Sequence, residues 1–197
     1  MKYAELKKIK RLYFGYEEIA SVIGITLSSA RVFASRYVRQ GLLVRVRRNL
    51  YVLKERWDRL SIEEVFTIAN LIQMPSYISL MTALEYYGIT TQIQRLFIES
   101  IALKRTKSQD VEDVKFVFTK VDNKYYSGFL RERGFFIASP EKALMDAVYL
   151  KSLKRYNFDL TSIDFGKLDM VKLRKLADMF PKKTKRILER YGYLKKT

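Results

Sequence analysis

Three arginines stand close together in the segment QGLLVRVRRNLYVL, residues 40–53. Arg45, Arg47 and Arg48 are interleaved with apolar residues and follow Gly41. Guanidinium groups bind phosphate through paired, charge-assisted hydrogen bonds, so this spacing fits contact with a nucleic-acid backbone. The solvated edge of a β-hairpin could carry the same residues, and the neighbouring elements must decide between the two interpretations.

A second possible chemistry is metal-dependent cleavage of nucleic acid. Asp113 and Lys115 flank a valine at the start of an apolar run, which superficially matches the D/E-x-K pattern of restriction-type nucleases. Glu99, in the preceding apolar run, would be the second carboxylate beside a divalent ion. Such a set of residues occurs in most basic domains, and DVK is also an ordinary strand start. We therefore expect no catalytic residue, no metal and no cofactor.

The helix predicted before the three arginines has a polar, cationic face. In TLSSARVFASRYVRQG, Thr26 is a suitable N-cap and Gly41 stands where a C′ glycine belongs. At about 100° per residue, one side of this helix collects Leu27, Ala30, Phe33, Ala34 and Tyr37. The other side carries Ser28, Arg31, Val32, Ser35, Arg36 and Arg39. Arginine can bind guanine, serine can bind base edges or phosphates, and valine can contact a thymine methyl group.

The order of the elements favours DNA binding over a merely solvated surface. The helix YEEIASVIG, a short turn at Gly24, the helix after Thr26 and an arginine-rich hairpin follow the order of a winged helix-turn-helix. The alternation of apolar residues with Arg45 and Tyr51 predicts two strands with one buried face. Asn49 tolerates positive φ, so the turn would present Arg47 and Arg48 at its tip. The predicted DNA-binding residues are Ser28, Arg31, Val32, Ser35, Arg36, Arg39, Arg45, Arg47 and Arg48.

Charge and composition restrict the function classes. The net charge is +17, and residues 1–60 and 151–197 each carry 14 Lys and Arg against 5 Asp and Glu, which favours a polyanionic partner. Cysteine and histidine are absent, so there is no disulfide, no thiolate ligand and no histidine base. We expect no signal peptide, because the first residues are charged, and no apolar run of roughly 18 residues to span a bilayer. A cytoplasmic protein without membrane contact is the expectation.

The remaining chain predicts a mixed α/β domain. Ser61 and Glu64 form a capping box before a helix, and a second helix ends before Gly88. The apolar segments RLFIESIALK, DVKFVFTKV and GFFIA predict strands, and Ser139 with Pro140 predicts a helix start. MVKLRKLADMF and PKKTKRILERYGYL predict terminal helices. The predicted class is α+β, with a winged helix-turn-helix over residues 1–56 and an α+β domain with a small sheet over residues 57–197.

The segment SRYVRQGLLVRVRRNLYVL resembles the N-terminal domain of the AbiEi-like antitoxins of type IV toxin–antitoxin systems, roughly R-L-V-x-x-G-L-L-x-R-V-x-R-G-x-Y. Tyr37 replaces the usual leucine and Asn49 replaces the usual turn glycine. The matching positions are Arg36, Val38, Gly41, Leu42, Leu43, Arg45, Val46, Arg48 and Tyr51.

Two later segments extend the resemblance, which covers the chain from about Gly15 to Leu150. PSYISLMTALEYYGIT is similar to the family's Y-I-S-x-x-S-A-L-x-x-H-G-L, with Thr82 in place of serine and Tyr87 in place of histidine. IASPEKALMDAV is similar to A-S-P-E-K-A-L-x-D. The matching positions are Tyr77, Ile78, Ser79, Ala83, Leu84, Gly88, Ala138, Ser139, Pro140, Glu141, Lys142, Ala143, Leu144 and Asp146.

The resemblance implies an autoregulatory antitoxin, a transcriptional repressor that binds repeats in double-stranded DNA at the promoter of its own operon. It also implies opposition to a nucleotidyltransferase-like toxin, without requiring a stable complex, and an antitoxin-domain motif of Ser139, Pro140, Glu141, Lys142 and Asp146. From the residues alone, helix capping explains Ser139, Pro140 and Glu141. Lys142 and Asp146 are i,i+4 neighbours and are expected to form a surface ion pair.

Two binding alternatives stay open. One is a stand-alone winged-helix regulator whose C-terminal domain senses a ligand, which the absence of a neighbouring toxin gene would favour. The other is RNA binding by the basic tail, residues 181–197, where cations interleave with tyrosines. The tail residues concerned are Lys182, Lys183, Lys185, Arg186, Arg190, Tyr191 and Tyr193.

Overall fold

The computed structural model describes residues 2–93 and 95–194. Within these residues the chain forms nine α-helices, a two-stranded sheet and a six-stranded mixed sheet. The chain divides into two compact units between Ile68 and Ala69. The predicted α+β class is confirmed.

The first unit holds four helices and a β-hairpin before the chain reaches a fifth helix, which spans the division. Its elements are α1 (Lys2–Leu6), α2 (Tyr16–Ile23), α3 (Leu27–Arg39), β1 (Leu43–Arg47), β2 (Leu50–Leu53), α4 (Lys54–Trp57) and the start of α5 (Ile62–Ile72). The axes of α2 and α3 differ by 102°. Only three residues separate these two helices.

Local signals set the bounds of these helices as predicted. The Thr26 hydroxyl accepts a hydrogen bond from the Ser29 N–H at 3.2 Å and caps α3. Gly24 ends α2 at φ +71°, and Gly41 follows α3 at φ +68°. The Ser61 capping box at the start of α5 also forms, because Ser61 and Glu64 exchange hydrogen bonds.

The core of the first unit confirms most of the predicted inner face of α3. Its buried members are Leu6, Phe14, Ile19, Ala30, Phe33, Ala34, Leu43, Tyr51 and Leu53. Leu27 is 49% exposed, so the expectation that it faces inward is wrong; it is the first residue of α3, and the buried face begins only at Ala30.

The hairpin differs from the prediction of a single buried face. Leu43 and Tyr51 pack into the helical core, yet Val44 and Val52, which point to the opposite face, are also buried. Tyr51 was expected to alternate outward with Arg45, its cross-strand partner. Its ring instead fills core volume, while Arg45 lies in solvent.

The second unit is built on the six-stranded sheet in the order β5-β6-β4-β3-β8-β7. The pairs β4·β6 and β3·β8 are parallel and the others antiparallel. Its strands are β3 (Ser76–Ile78), β4 (Phe97–Ala102), β5 (Lys107–Val111), β6 (Val114–Lys120), β7 (Phe129–Glu132) and β8 (Phe135–Ala138). Its helices are α6 (Leu80–Tyr86), α7 (Pro140–Ser152), α8 (Met170–Asp178) and α9 (Lys182–Arg190).

In residues 2–93 and 95–194, no single helix is long and apolar enough to cross a membrane.

Candidate nucleic-acid interface

The polar side of α3 lies in solvent along its whole length. Val32 is 67% exposed. The structure therefore brings the predicted side chains of α3 together on one open helical surface. The exposed side chains of this surface are Ser28, Arg31, Val32, Ser35, Arg36 and Arg39.

Aromatic rings hold two of these arginines. The guanidinium carbon of Arg31 lies 5.6 Å from the centre of the Tyr16 ring, and that of Arg36 lies 5.6 Å from the Tyr37 ring and 5.9 Å from Phe33. A cation over an aromatic face is attracted by the ring quadrupole. These contacts restrict the side chains while leaving their N–H groups open to an acceptor.

The hairpin turn is fixed to the start of α2, a contact that the sequence did not reveal. Asn49 has φ +57°, as its position predicted. Its side-chain oxygen accepts a hydrogen bond from the Tyr16 N–H at 2.6 Å, and its Nδ2 donates to Glu17 at 3.2 Å. Asn49 thus caps α2 from a distant part of the chain, and a Cβ atom at Gly15 would lie only 2.9 Å from its side-chain oxygen.

Tyr16 connects α3 with the hairpin. Besides the contacts to Arg31 and Asn49, its hydroxyl accepts a hydrogen bond from the Tyr51 hydroxyl at 3.0 Å. Phe14 and Tyr51 exchange backbone hydrogen bonds of 3.0 and 2.9 Å, which adds a one-residue bridge to the hairpin. The α3 surface and the turn are therefore positioned by the same short stretch of chain.

The arginines of the hairpin lie in solvent as well. Arg45, Arg47 and Arg48 are exposed. We call the set Ser28, Arg31, Val32, Ser35, Arg36, Arg39, Arg45, Arg47 and Arg48 the arginine face.

The arginine face keeps its positive charge. Among the residues that the structure describes, none of its six arginines forms an ion pair, and the acidic residues of the first unit bind other cations, such as Glu18 with Arg11 at 3.4 Å and Glu55 with Lys7 at 2.7 Å. Glu17 is the acidic residue whose charge interacts with the arginine face. Its pKa is lowered mainly by a backbone hydrogen bond, then by Asn49 and least by Arg31. Guanidinium groups without carboxylate partners can neutralise the phosphates of a nucleic-acid backbone and release its counterions.

The second block of motif residues has a different setting. The expected surface pair of Lys142 and Asp146 is wrong: the two side chains are 1% and 0% exposed. The Lys142 ammonium donates to Asp146 and, at 2.8 Å, to the Tyr77 hydroxyl. Asp146 also accepts hydrogen bonds from Tyr77 at 3.0 Å and Ser79 at 2.8 Å. We call Tyr77, Ser79, Lys142 and Asp146 the buried polar cluster.

The reason for this burial is the position of α7. Residues 141–148 of this helix are all buried, so the helix has no solvated face on which an ion pair could lie. Burial raises the pKa of Asp146, and the Lys142 ammonium with the hydroxyl donors opposes that rise. Burial, followed by the charge of Asp146, raises the pKa of the Tyr77 phenol. The cluster joins two of the segments that carry the family resemblance.

The start of α7 confirms the predicted cap. Ser139 accepts a hydrogen bond from the Lys142 N–H at 3.3 Å, and Pro140 occupies the first turn. Glu141 lies in the first turn too, but its side chain is buried and accepts a hydrogen bond from the Asp169 N–H at 3.1 Å.

The two carboxylates of the possible nuclease site, Glu99 and Asp113, lie in different environments. Glu99 is 3% exposed and accepts hydrogen bonds from the Tyr156 hydroxyl and from backbone N–H groups of Met81 and Thr82 at the start of α6. Burial raises its pKa to about 7. Asp113 lies in the exposed turn between β5 and β6, and the described residues contain no acidic cluster suited to a metal ion.

The basic tail forms α9 and its exposed extension. Lys182, Lys183, Arg186 and Arg190 are exposed, while Lys185 binds Asp178 at 2.5 Å. The Tyr193 ring stacks on Phe165 with centroids 3.3 Å apart, which occupies one face of that ring. Residues 195–197 of the tail lie outside the described residues.

Comparison with known proteins gives a structural likeness alone. No protein-family model and no curated protein matches the sequence. The chain is similar to the crystal structure of the RV2827C protein from Mycobacterium tuberculosis, with a TM-score of 0.58 and 10% sequence identity over 92% of this chain and 71% of that one. At this identity the likeness shows the fold.

Proposed function

We propose that the chain is a DNA-binding transcriptional regulator, with a winged helix-turn-helix in residues 1–56, that acts in the cytoplasm. The observation that carries the proposal is the arginine face: six guanidinium groups without carboxylate partners among the described residues, on one helix and the adjoining hairpin. Arginines that are already paired with carboxylates of the same protein contribute little to binding a polyanion. Unpaired arginines neutralise DNA phosphates and displace their counterions.

The geometry of α2 and α3 supports this assignment. Helix-turn-helix pairs typically cross at about 90–120° with a turn of three or four residues, and here the angle is 102°. In this arrangement α3 enters the major groove, where Arg31, Ser35 and Arg36 face base edges or phosphates and Val32 can meet a thymine methyl group. The hairpin is the wing, and Arg47 and Arg48 contact phosphates or the minor groove.

Binding to the DNA upstream of the gene itself tests the proposal. Footprinting should reveal a protected region, and affinity should fall with salt by a slope of about −0.9 for each phosphate neutralised. Arg47→Ala with Arg48→Ala should weaken binding to every duplex and flatten that slope by about two phosphates. The matched control is Lys10→Ala with Arg59→Ala, which removes the same charge from exposed positions outside the arginine face. An equal loss in both double variants would contradict the proposal.

The α3 side chains should determine sequence preference. Arg36→Ala or Val32→Ala is expected to change which base is preferred rather than to lower affinity for all duplexes. Selection from a pool of randomised duplexes measures this directly. Unchanged sequence preference in both variants would remove α3 from base recognition.

We further propose, from the resemblance, that the regulator is the autoregulatory antitoxin of a type IV toxin–antitoxin operon and opposes a nucleotidyltransferase-like toxin. Co-expression with the adjacent gene tests this: growth inhibited by that gene should be restored by the wild-type chain. Restoration should persist in the Arg47→Ala, Arg48→Ala variant when both genes are expressed from a foreign promoter, because neutralisation is then separate from repression. A non-toxic neighbouring gene would favour a stand-alone regulator.

A further inference from the structure

An open cavity of about 710 Å³ lies in the second unit, on the side where β4 and β6 end. We propose that it binds a nucleoside phosphate. The side chains that the proposal uses are Thr106, Lys120, Asp122, Asn123, Tyr149 and Arg155. This assignment does not depend on DNA binding by the first unit.

The position of the cavity follows from the sheet topology. β4 and β6 are parallel neighbours, and Ala102 pairs with Lys120 at the end of both strands. The Val121 N–H bonds to the Ala102 carbonyl at 3.1 Å, and Leu103 and Val121, which directly follow the two strands, line the cavity. Ligands of open sheets with parallel strands bind in such crevices outside the carboxyl ends of the strands.

The wall of the cavity is held by specific hydrogen bonds. The Thr106 hydroxyl accepts a hydrogen bond from the Lys120 N–H at 3.0 Å and from the Arg155 guanidinium at 3.5 Å. Arg155 is placed by a turn at the end of α7, in which its N–H binds the Leu150 carbonyl at 3.0 Å and Lys154 has φ +58°. A lysine in the left-handed region, where glycine is usual, marks a turn that is maintained by its surroundings.

The functional groups match a phosphate joined to a nucleoside. Lys120 and Arg155 form no ion pair among the described residues, and both can donate to phosphate oxygens. Asp122 and Asn123 are exposed, and Asp122 makes no capping bond, so both can bind ribose hydroxyls or a base edge. The Tyr149 ring, half-buried against Tyr125 and Phe180, also lines the cavity. The volume lies within the roughly 300–1,000 Å³ of small-molecule sites.

Calorimetry of the full chain with ATP at low salt tests the proposal. Saturable binding is expected, with at least tenfold weaker affinity in the variant Lys120→Ala, Arg155→Ala. The matched control is Arg174→Ala with Lys175→Ala, two exposed cations of α8 outside the cavity, for which affinity should change less than twofold. Absence of saturable ATP binding to the wild-type chain, or equal losses in the two variants, would overturn the proposal.

A second measurement has the opposite sign and does not depend on loss of structure. Asp122→Ala removes the one carboxylate among the six side chains above, so inorganic pyrophosphate should bind several-fold more tightly than to the wild-type chain. Unchanged or weaker pyrophosphate binding would refute the phosphate assignment.

The arginine face could bind ATP in place of the cavity, and one variant distinguishes the two sites. Arg47→Ala with Arg48→Ala should leave ATP affinity unchanged, and saturating duplex DNA should not displace ATP. If that variant or the duplex abolishes ATP binding, ATP binds at the arginine face and the cavity proposal fails. Such a result would leave the proposed DNA binding intact.

Discussion

The buried ion pair of α7 allows a sharp test by Lys142→Met. Methionine keeps an unbranched apolar stem of similar length, which matters because Gly128 lies close to that stem: a Cβ there would be 3.0 Å from Lys142 Cγ. The substitution removes only the ammonium, which contacts Asp146 and Tyr77. Asp146 is left buried with hydrogen bonds from Tyr77 and Ser79 and without a cation.

The expected loss follows from what remains around Asp146. Removing one partner of a buried ion pair typically costs about 3–5 kcal/mol. Because two hydroxyl donors still solvate the carboxylate, we expect the lower value, about 3 kcal/mol, for Lys142→Met. Asp146→Asn, which leaves the ammonium without a counter-ion, should cost about the same. The double variant is neutral and keeps an acceptor for Ser79, so its cost should be only about 1–2 kcal/mol.

The double variant should therefore cost about 4–5 kcal/mol less than the sum of the two single variants, and this difference is the coupling energy between the two sites. The free energy of unfolding of the Lys142→Met variant should also depend on pH. Burial already raises the pKa of Asp146, and loss of the cation raises it further. A carboxyl group whose pKa is raised in the folded state does not destabilise that state below the unfolded pKa of about 3.9, where the group is protonated in both states. The stability of the folded state then falls as the pH rises through the folded pKa, because the buried carboxyl must lose its proton. The variant should thus be closer to wild type at pH 5 than at pH 8.

Urea unfolding followed by far-UV circular dichroism measures these free energies. Trp57, the single tryptophan, is buried in the first unit and gives a separate fluorescence signal for that unit. An exposed i,i+4 pair contributes only about 0.3–0.5 kcal/mol. A coupling energy of that size, with no pH dependence, would refute the buried cluster and restore the surface pair that the sequence suggested.

Three further changes have defined outcomes. Asn49→Gly keeps the positive φ but removes the acceptor of the Tyr16 N–H, so urea unfolding followed by Trp57 fluorescence should show a loss of about 1 kcal/mol, and Asn49→Ala, with added left-handed strain, about 2 kcal/mol. Because burial raises the pKa of Glu99 to about 7, wild type should lose roughly 3 kcal/mol relative to Glu99→Gln as the pH rises from about 4 through 7. This difference is measured by urea unfolding at each pH; a constant difference would contradict it. Gly128→Ala should cost about 2 kcal/mol by circular dichroism, because its φ is +74°.

The first unit was predictable because its signals are local. Thr26, Gly24 and Gly41 act on residues within a few positions of themselves, and helical periodicity separated the exposed side of α3 from the buried one. The bond from Asn49 to Tyr16 spans 33 residues and left no local trace. It does explain why asparagine can stand where the resembling family has a turn glycine: the side chain tolerates the same backbone and adds a cap.

The second unit was less predictable because three of its strands, β3, β5 and β7, have no clear apolar pattern in the sequence. β5, KSQDV, lies at one edge of the sheet and has a single buried residue, so no apolar pattern marks it as a strand. β7 lies at the other edge, in a segment for which the sequence predicts no strand. Edge strands are commonly polar, since one side has no partner strand. β3 has three residues, Ser76–Ile78, which are too few to show a period of two.

The buried polar cluster also changes what the family resemblance can support. Tyr77 and Ser79 come from one matching segment, and Lys142 and Asp146 from the other, yet all four side chains lie in the interior of the second unit. Residues with no exposed surface cannot touch a toxin or DNA, so these matches favour a common fold more than a common partner. Any toxin neutralisation must use exposed side chains, and the second unit offers such groups around Lys120 and Arg155. The Lys142→Met variant should therefore lose neutralisation only to the extent that it unfolds, whereas Lys120→Ala with Arg155→Ala is expected to abolish it in a fully folded chain.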